Sequence, residues 1–325
     1  MIIDTQVHIF EKAHGVERSI RMHYTWHEMS AELLLDEMNY AGVDKCFLIS
    51  YTAEDIWPDL GDTWNDPSIN QITKEYFTDA LAAADHDRFI WFTDHINPDR
   101  PGYLDRIRED LDAGAVGLKI FPAYTGHWPS DPGLCKVYEL CAERDVPIIM
   151  AWERWNDPRL RACVSDYKEF LGLFDPVARD FPTVKFLLTH WGCFTWGDQW
   201  LANCRPPFPS LEPFVALLNR HEHLYTDIAA ITIFFGDEIA WKNGGLQGPE
   251  WEYPYANGLA LLEGLVRGAG VERVMWGTDW PWTEGRCTYK QNLTMVTTHA
   301  DFLSDEEKRL VHGVNAAKFA GLSID

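Results

Sequence analysis

Two stretches decide the fold: Met1-Ile-Ile-Asp-Thr-Gln-Val-His-Ile-Phe10 near the start and Val274-Met-Trp-Gly-Thr-Asp-Trp-Pro-Trp282 near the end. Each is a short apolar run that carries metal-binding or proton-transferring side chains at its C-terminal edge. Two such runs at opposite ends of a chain can meet when the chain closes on itself, as the first and eighth strands of a β/α barrel do. Closure predicts that His8 lies beside Asp279.

Eight short apolar runs alternate with longer amphipathic stretches along the chain. Near-continuous apolar strands are typical of a parallel sheet that helices cover. Eight strand–helix units without a linker favour one (β/α)8 TIM barrel over residues 1–325 rather than a doubly wound sheet. The predicted strands are 2–6, Cys46–Ile49, Phe89–Phe92, Val116–Phe121, Pro147–Trp152, Val184–Thr189, Leu224–Ile228 and Val274–Trp276.

The helix predictions rest on amphipathic periodicity and on end signals. Ser304-Asp-Glu-Glu307 has the pattern of a capping box that opens the last helix. Gly42, Gly114 and Gly268 stand where helix C-caps are expected. The predicted helices are Ala31–Ala41, Asn70–Ala84, Tyr103–Ala113, Gly133–Arg144, Ser165–Phe181, Glu212–Arg220 and Asn257–Gly268.

Two insertions interrupt this alternation, at residues 11–30 after strand 1 and at residues 230–256 after strand 7. Both follow the C-terminal ends of strands, which form the active face of such barrels. We expect them to be lids, substrate loops or interface segments.

Composition narrows the class of protein. The formal net charge of −22 argues against nucleic acid or an anionic membrane as a partner. The chain has no apolar stretch long enough to cross a membrane and begins directly with a strand. Seven irregularly spaced Cys predict reduced thiols in the cytoplasm. The 15 Trp predict aromatic walls around a cleft or a subunit interface.

Polar side chains at the predicted strand ends form a candidate catalytic centre. Gln6 and His8 are two residues apart at the end of strand 1 and should face the same side. Lys119 ends strand 4, His190 ends strand 6 and Asp279 ends strand 8. Lys could bind an anionic group, Asp could act as a base toward water, and His could bind a metal or stabilise an oxyanion. A purely structural Lys119–Asp279 ion pair is the alternative.

Further candidates surround this centre. Glu153 or Arg154 could face the mouth after strand 5. Tyr124, Trp152, Trp191 and Trp280 could enclose a planar ring or conjugated acid and exclude water. Packing beneath a lid is the alternative role for each Trp.

Segments along the whole chain resemble the amidohydrolase superfamily, in the branch that contains aminocarboxymuconate-semialdehyde and resorcylate decarboxylases and small lactonases. Together and in this order the segments are specific for that branch. They are Ile3-Asp-Thr-Gln-Val-His8, Ala41-Gly-Val-Asp-Lys45, Asp87-Arg-Phe-Ile90, Gly114-Ala-Val-Gly-Leu-Lys-Ile-Phe-Pro122, Asp131-Pro132, Tyr138-Glu-Leu140, Phe181-Pro-Thr-Val-Lys-Phe-Leu-Leu-Thr-His-Trp-Gly192, Leu224-Tyr-Thr-Asp227, Gly277-Thr-Asp-Trp-Pro281 and Asn315-Ala-Ala317.

The resemblance implies a metal near the ends of strands 1, 5 and 8. His8 matches the second strand-1 ligand, Asp279 the strand-8 ligand, and His190 the strand-6 His that polarises substrate. Gln6 and Ala151 depart from the pattern, because each stands where a ligand is usual. Open alternatives are a weaker Zn or Mn site, formed by His8, Asp279 and either Glu153 or His190, and a metal-free site as in some lactonases.

These residues predict a cytoplasmic hydrolase that acts on a small carboxylated cyclic (lactone or amide) or aromatic metabolite. Asp279 would be the general base, His8 and His190 would polarise the carbonyl, and Lys119 or Arg154 would hold a carboxylate. One alternative is a metal-dependent decarboxylase in which Asp279 protonates a ring carbon. Another is an inactive barrel with a binding role. The resemblance and the aromatic content also predict a homodimer.

Overall fold

The eight predicted strands form one parallel sheet in the order β1 to β8. A computed structural model describes residues 1–9, 29–49, 87–94, 96–125, 127–151, 167–192, 205–236, 252–284 and 286–323. The strands are β1 (Ile3–Val7), β2 (Lys45–Ile49), β3 (Phe89–Thr93), β4 (Gly117–Ile120), β5 (Ile148–Met150), β6 (Phe186–Leu188), β7 (Leu224–Asp227) and β8 (Val274–Met275).

Backbone hydrogen bonds between the two ends of the chain close the sheet into a barrel. Thr5 donates its N–H to the carbonyl of Trp276 (3.2 Å), and His8 donates to Trp280 (2.8 Å). Asp279 donates in return to Gln6 (2.9 Å). The predicted (β/α)8 barrel and the meeting of its first and last strands are therefore confirmed.

Helices follow most of the strands, with bounds near those predicted. The predicted helix Asn70–Ala84 and most of both insertions lie outside the described residues. Among the described residues, no helix combines the length and apolar character that a membrane crossing requires. The helices are α1 (Ala31–Ala41), α2 (Tyr103–Asp112), α3 (Pro122–Thr125), α4 (Pro132–Arg144), α5 (Tyr167–Asp180), α6 (Leu211–Arg220), α7 (Ile231–Gly236), α8 (Ala256–Ala269), α9 (Tyr289–His299), α10 (Asp305–Arg309) and α11 (Asn315–Phe319).

The capping predictions were right at Ser304 and Gly42 and wrong at Gly268. Ser304 opens α10 with a complete capping box, and Gly42 caps α1 at φ +84°. Gly268 instead lies inside α8, which Gly270 caps at φ +95°. A Cβ at Gly268 would come within 2.9 Å of the Val215 side chain. Glycine at 268 therefore permits close packing of α8 on α6 rather than a helix end.

Side chains inside the barrel form an apolar cluster that α11 completes. The ring of Phe319 lies 6.3 Å from those of both Phe47 and Phe92, measured between centroids. The backbone of Gly313, just before α11, packs against Met1, so this segment covers the end at which β1 begins. We call this set the interior apolar cluster: Ile3, Phe47, Ile49, Ile90, Phe92, Ile149, Leu187, Met275, Ala316, Ala317, Phe319 and Ala320.

Candidate active site at the strand ends

A β-bulge in β1 directs neighbouring side chains to the same place. Between Asp4 and Val7, β1 advances one residue more than its partner β2. The extra residue changes the alternation of the strand, so the consecutive Thr5 and Gln6 both reach the polar cluster inside the barrel. His8 points to the same place, as its spacing from Gln6 predicted.

The Gln6 amide joins four strand ends. Its oxygen accepts a hydrogen bond from the ammonium of Lys119 (2.7 Å) and lies 2.8 Å from the Thr189 hydroxyl. Its nitrogen donates to Oδ1 of Asp279 (2.7 Å) and lies 3.3 Å from Nε2 of His190. The ends of β1, β4, β6 and β8 are therefore connected through one side chain, and all five side chains are buried.

Asp279 is held as an ionised carboxylate. Burial by itself raises the pKa of Asp279, but a hydrogen bond from His8 and the electrostatic influence of His190, His8 and Lys119 outweigh it, so the pKa lies below its ordinary value. Nε2 of His8 lies 3.5 Å from Oδ1 of Asp279. The predicted pairing of these two residues is confirmed, whereas a direct Lys119–Asp279 ion pair is not among the described contacts.

The turn after β6 presents His190 in a strained conformation. His190, Trp191 and Gly192 have φ values of +57°, +45° and +64°. Left-handed backbone costs energy for residues other than glycine and persists where surrounding contacts enforce it. A Cβ at Gly192 would come within 2.7 Å of the Phe214 ring, so this position also requires glycine.

Asp227, at the end of β7, supplies contacts that hold this turn. Its carboxylate accepts the backbone N–H groups of His190 (2.7 Å) and Ala229 (3.2 Å), and it lies 2.9 Å from the Thr189 hydroxyl. Burial raises the pKa of Asp227, and the nearby charges and donors only partly offset that effect. Sequence reasoning missed Asp227, although a charge that ends a buried strand was the signal that identified Lys119.

The hydrogen bonds of His190 fix which ring nitrogen carries the proton. Nδ1 lies 2.8 Å from the carbonyl oxygen of Ala229, which only accepts, so Nδ1 is protonated. Nε2 faces the amide nitrogen of Gln6, which only donates, so Nε2 carries a lone pair. In this tautomer the imidazole presents the Nε2 lone pair to the Gln6 amide.

The aromatic and strand-5 candidates are placed only in part. Trp191 is buried against Phe235, and Trp280 is buried with its indole N–H on Glu284 at 2.8 Å. Their contact with a substrate stays a prediction. Trp152, Glu153 and Arg154 lie outside the described residues, as does the side chain of Tyr124.

The described residues do not fit the divalent metal that the resemblance implied. No group of three or more His, Cys, Asp or Glu side chains is arranged to bind a metal within the described part of the chain. The side chain that touches both Asp279 and His190 is an amide that turns its N–H groups toward them. A cation needs lone pairs from its ligands, and this amide offers hydrogens.

Comparisons with known proteins give a consistent family. A family model described as amidohydrolase matches residues 3–322. No curated protein matches the sequence of this chain.

The similar solved structures share the fold at low sequence identity. An amidohydrolase from Burkholderia multivorans with bound HEPES has a TM-score of 0.67 and 14% identity, covering 99% of this chain and 100% of that one. In a second structure an amidohydrolase from that organism has Zn bound (TM-score 0.65, 15% identity, with the same coverage). A probable 2-pyrone-4,6-dicarboxylic acid hydrolase from Acinetobacter baumannii with bound citric acid has a TM-score of 0.66 and 14% identity, covering 99% of each chain.

Proposed function

This chain belongs to the amidohydrolase family, and we propose that it hydrolyses a small carboxylated lactone or cyclic amide. The observation that supports this proposal is that Asp279 is an ionised carboxylate. The contacts of Gln6 and His8 converge on Oδ1. Within the described residues no hydrogen bond reaches Oδ2, so this oxygen of an ionised carboxylate is available to take a proton from water.

The proposed reaction uses Asp279 as base and then as acid. Oδ2 takes a proton from a water molecule while the water oxygen attacks the substrate carbonyl, and the negative charge passes to the carbonyl oxygen. When the ring C–O or C–N bond breaks, the leaving atom recovers that proton from Asp279. Nε2 of His8 faces a carboxylate and so carries hydrogen. In the proposed reaction this N–H turns from Asp279 to the developing oxyanion once the carboxylate has taken the proton.

The role that we propose for His190 differs from the predicted one, which was to polarise the substrate carbonyl. Polarising a carbonyl requires hydrogen on Nε2, and the hydrogen bonds leave a lone pair there. We therefore assign His190 as a positioning residue, whose Nε2 accepts from the Gln6 amide and holds that amide beside Asp279.

The substrate class is proposed from one protein of similar fold. That protein is named a probable 2-pyrone-4,6-dicarboxylic acid hydrolase, and a 2-pyrone dicarboxylic acid is a carboxylated lactone. Lys119 or Arg154 would hold the carboxylate, with Tyr124, Trp152, Trp191 and Trp280 around the ring. A homodimer and a cytoplasmic location stay predictions.

The test is to incubate the protein with a panel of lactones and cyclic amides, with and without carboxylate groups. Hydrolysis is measured as the acid that each reaction releases. Asp279→Asn should lower turnover about a thousandfold, because the neutral amide accepts no proton. Asp301→Asn makes the same chemical change at an exposed position and should keep full activity. Unfolding curves should show that both variants remain folded. Full activity of Asp279→Asn would refute the mechanism.

The same preparation separates the alternatives. Release of CO2 from an aromatic or muconate-like acid, lost in Asp279→Asn, would favour a carboxy-lyase over a hydrolase. Binding of such acids without any turnover would indicate an inactive barrel with a binding role.

A further inference from the structure

Lys119 fixes the direction of the Gln6 amide. A lysine ammonium donates hydrogen bonds and accepts none, so the atom 2.7 Å from Nζ must be the amide oxygen. Lys119 is fully buried within β4, and its register partner is Ile149 of β5. A buried ammonium requires such an acceptor, so turning the amide over would leave two donors facing each other.

The fixed amide fills the space between the base and the imidazole with hydrogens. Its two N–H groups have two acceptors, Oδ1 of Asp279 at 2.7 Å and Nε2 of His190 at 3.3 Å. These are the same lone pairs that a divalent cation would need from Asp279 and His190. A cation could use them only after displacing the amide, which would then lose both acceptors.

Charge acts in the same direction. Only the Gln6 amide separates the positive charge of Lys119 from Asp279. Both groups lie in a buried cluster where screening by water is weak. This ammonium would repel a divalent ion and offset part of the attraction that the carboxylates of Asp279 and Asp227 exert on it.

We propose that the Gln6 amide, oriented by Lys119, excludes a divalent cation from this site and supplies with N–H groups the positive potential at Asp279 that a metal ion would provide. This inference concerns occupancy and does not depend on hydrolysis being the reaction. It makes this chain different from an amidohydrolase of similar fold that has Zn bound.

The test measures metal binding directly on the full-length protein. The protein is stripped with a chelator, dialysed against equimolar ZnCl2 or MnCl2, and assayed for bound metal and for a shift of Tm. Wild type should retain substoichiometric metal, and its Tm should be the same with metal and with chelator. Stoichiometric Zn or Mn in wild type, stable to dialysis, would overturn the inference.

Variants assign the effect to these two side chains. Gln6→Glu combined with Lys119→Met replaces the donors by a carboxylate and removes the ammonium, and should increase Zn affinity at least about tenfold. Gln291→Glu is the matched control, because it adds one carboxylate at an exposed capping-box position that tolerates Glu. If the folded double variant bound Zn no better than Gln291→Glu, the assignment to Gln6 and Lys119 would be wrong. The wild-type measurement decides the inference even if the double variant does not fold.

Discussion

The interior of the barrel holds apolar rings toward the end where β1 begins and polar side chains at the C-terminal ends of the strands. In the interior apolar cluster, Phe47 and Phe92 lie 4.7 Å apart between centroids, and Phe319 stacks on Phe92 with an interplanar angle of 8°. At the other end, Gln6 and its partners form hydrogen bonds of 2.7 to 3.3 Å around two buried carboxylates. The same eight strands therefore form one region held by apolar packing and another held by hydrogen bonds between buried polar groups.

The apolar region stabilises the fold, and the polar region holds the groups that can carry out chemistry. Burying apolar rings stabilises the fold without directional requirements. Burying carboxylates and an ammonium costs free energy that hydrogen bonds only partly recover, and such groups are retained where they act on something. Substitutions in the apolar cluster should therefore change unfolding alone, and substitutions in the polar cluster should change turnover as well.

The largest effect is expected at Phe92. Phe92→Ala should lower the free energy of unfolding by about 3 to 5 kcal/mol, because the lost ring leaves a cavity between Phe47 and Phe319. Denaturant titration measures this loss, and turnover per folded molecule should stay unchanged. Tyr40→Ala removes an aromatic ring at an exposed position and should cost less than about 1 kcal/mol. Equal losses in the two variants would contradict the distinction between the regions.

A second effect separates two substitutions of Asp227. Asp227→Ala removes the acceptor for the N–H groups of His190 and Ala229 and should cost about 3 kcal/mol and most of the turnover. Asp227→Asn keeps one oxygen for those donors and turns its N–H groups toward the hydroxyls of Thr5 and Thr189, which can accept. It should stay within about 1 kcal/mol of wild type. Equally severe losses in both would show that charge, not hydrogen bonding, holds the turn.

The sequence predicts the repeated strands and helices of this structure better than the contacts between residues that are distant along the chain. Apolar runs identify buried strands because each run must be covered on both faces, and charged residues at their ends identified Lys119 and Asp279. The bulge in β1 depends on pairing with β2, which no local pattern records. The direction of the Gln6 amide depends on Lys119, 113 residues away along the chain, so no local pattern shows that this side chain connects four strand ends.

The smallest effect concerns a buried imidazole outside both regions. His312 lies in a π-helical segment, Leu310–Val314, with its ring centroid 6.0 Å from that of Trp276. Its Nδ1 donates to the carbonyl of Lys308 (2.7 Å), whereas Nε2 is buried and has no partner among the described residues. Burial lowers the pKa of His312 to about 4. Both ring nitrogens of His190 have polar contacts, whereas only one ring nitrogen of His312 has one among the described residues.

Because a histidine in the unfolded chain titrates near pH 6.5, the unfolded state binds the proton more tightly between pH 6.5 and about 4. Stability from this group is therefore present above pH 6.5 and is lost as the pH falls. Asp4 has the opposite sign, since burial raises its pKa to about 7 and favours the protonated native state, so wild type alone does not isolate His312. His312→Asn keeps a donor for Lys308 and does not titrate. Between about pH 8 and about pH 5, urea unfolding should show wild type losing about 2 kcal/mol more than this variant. Parallel pH dependences would place the acid-sensitive group elsewhere, with the carboxylates of the polar cluster as the first candidates.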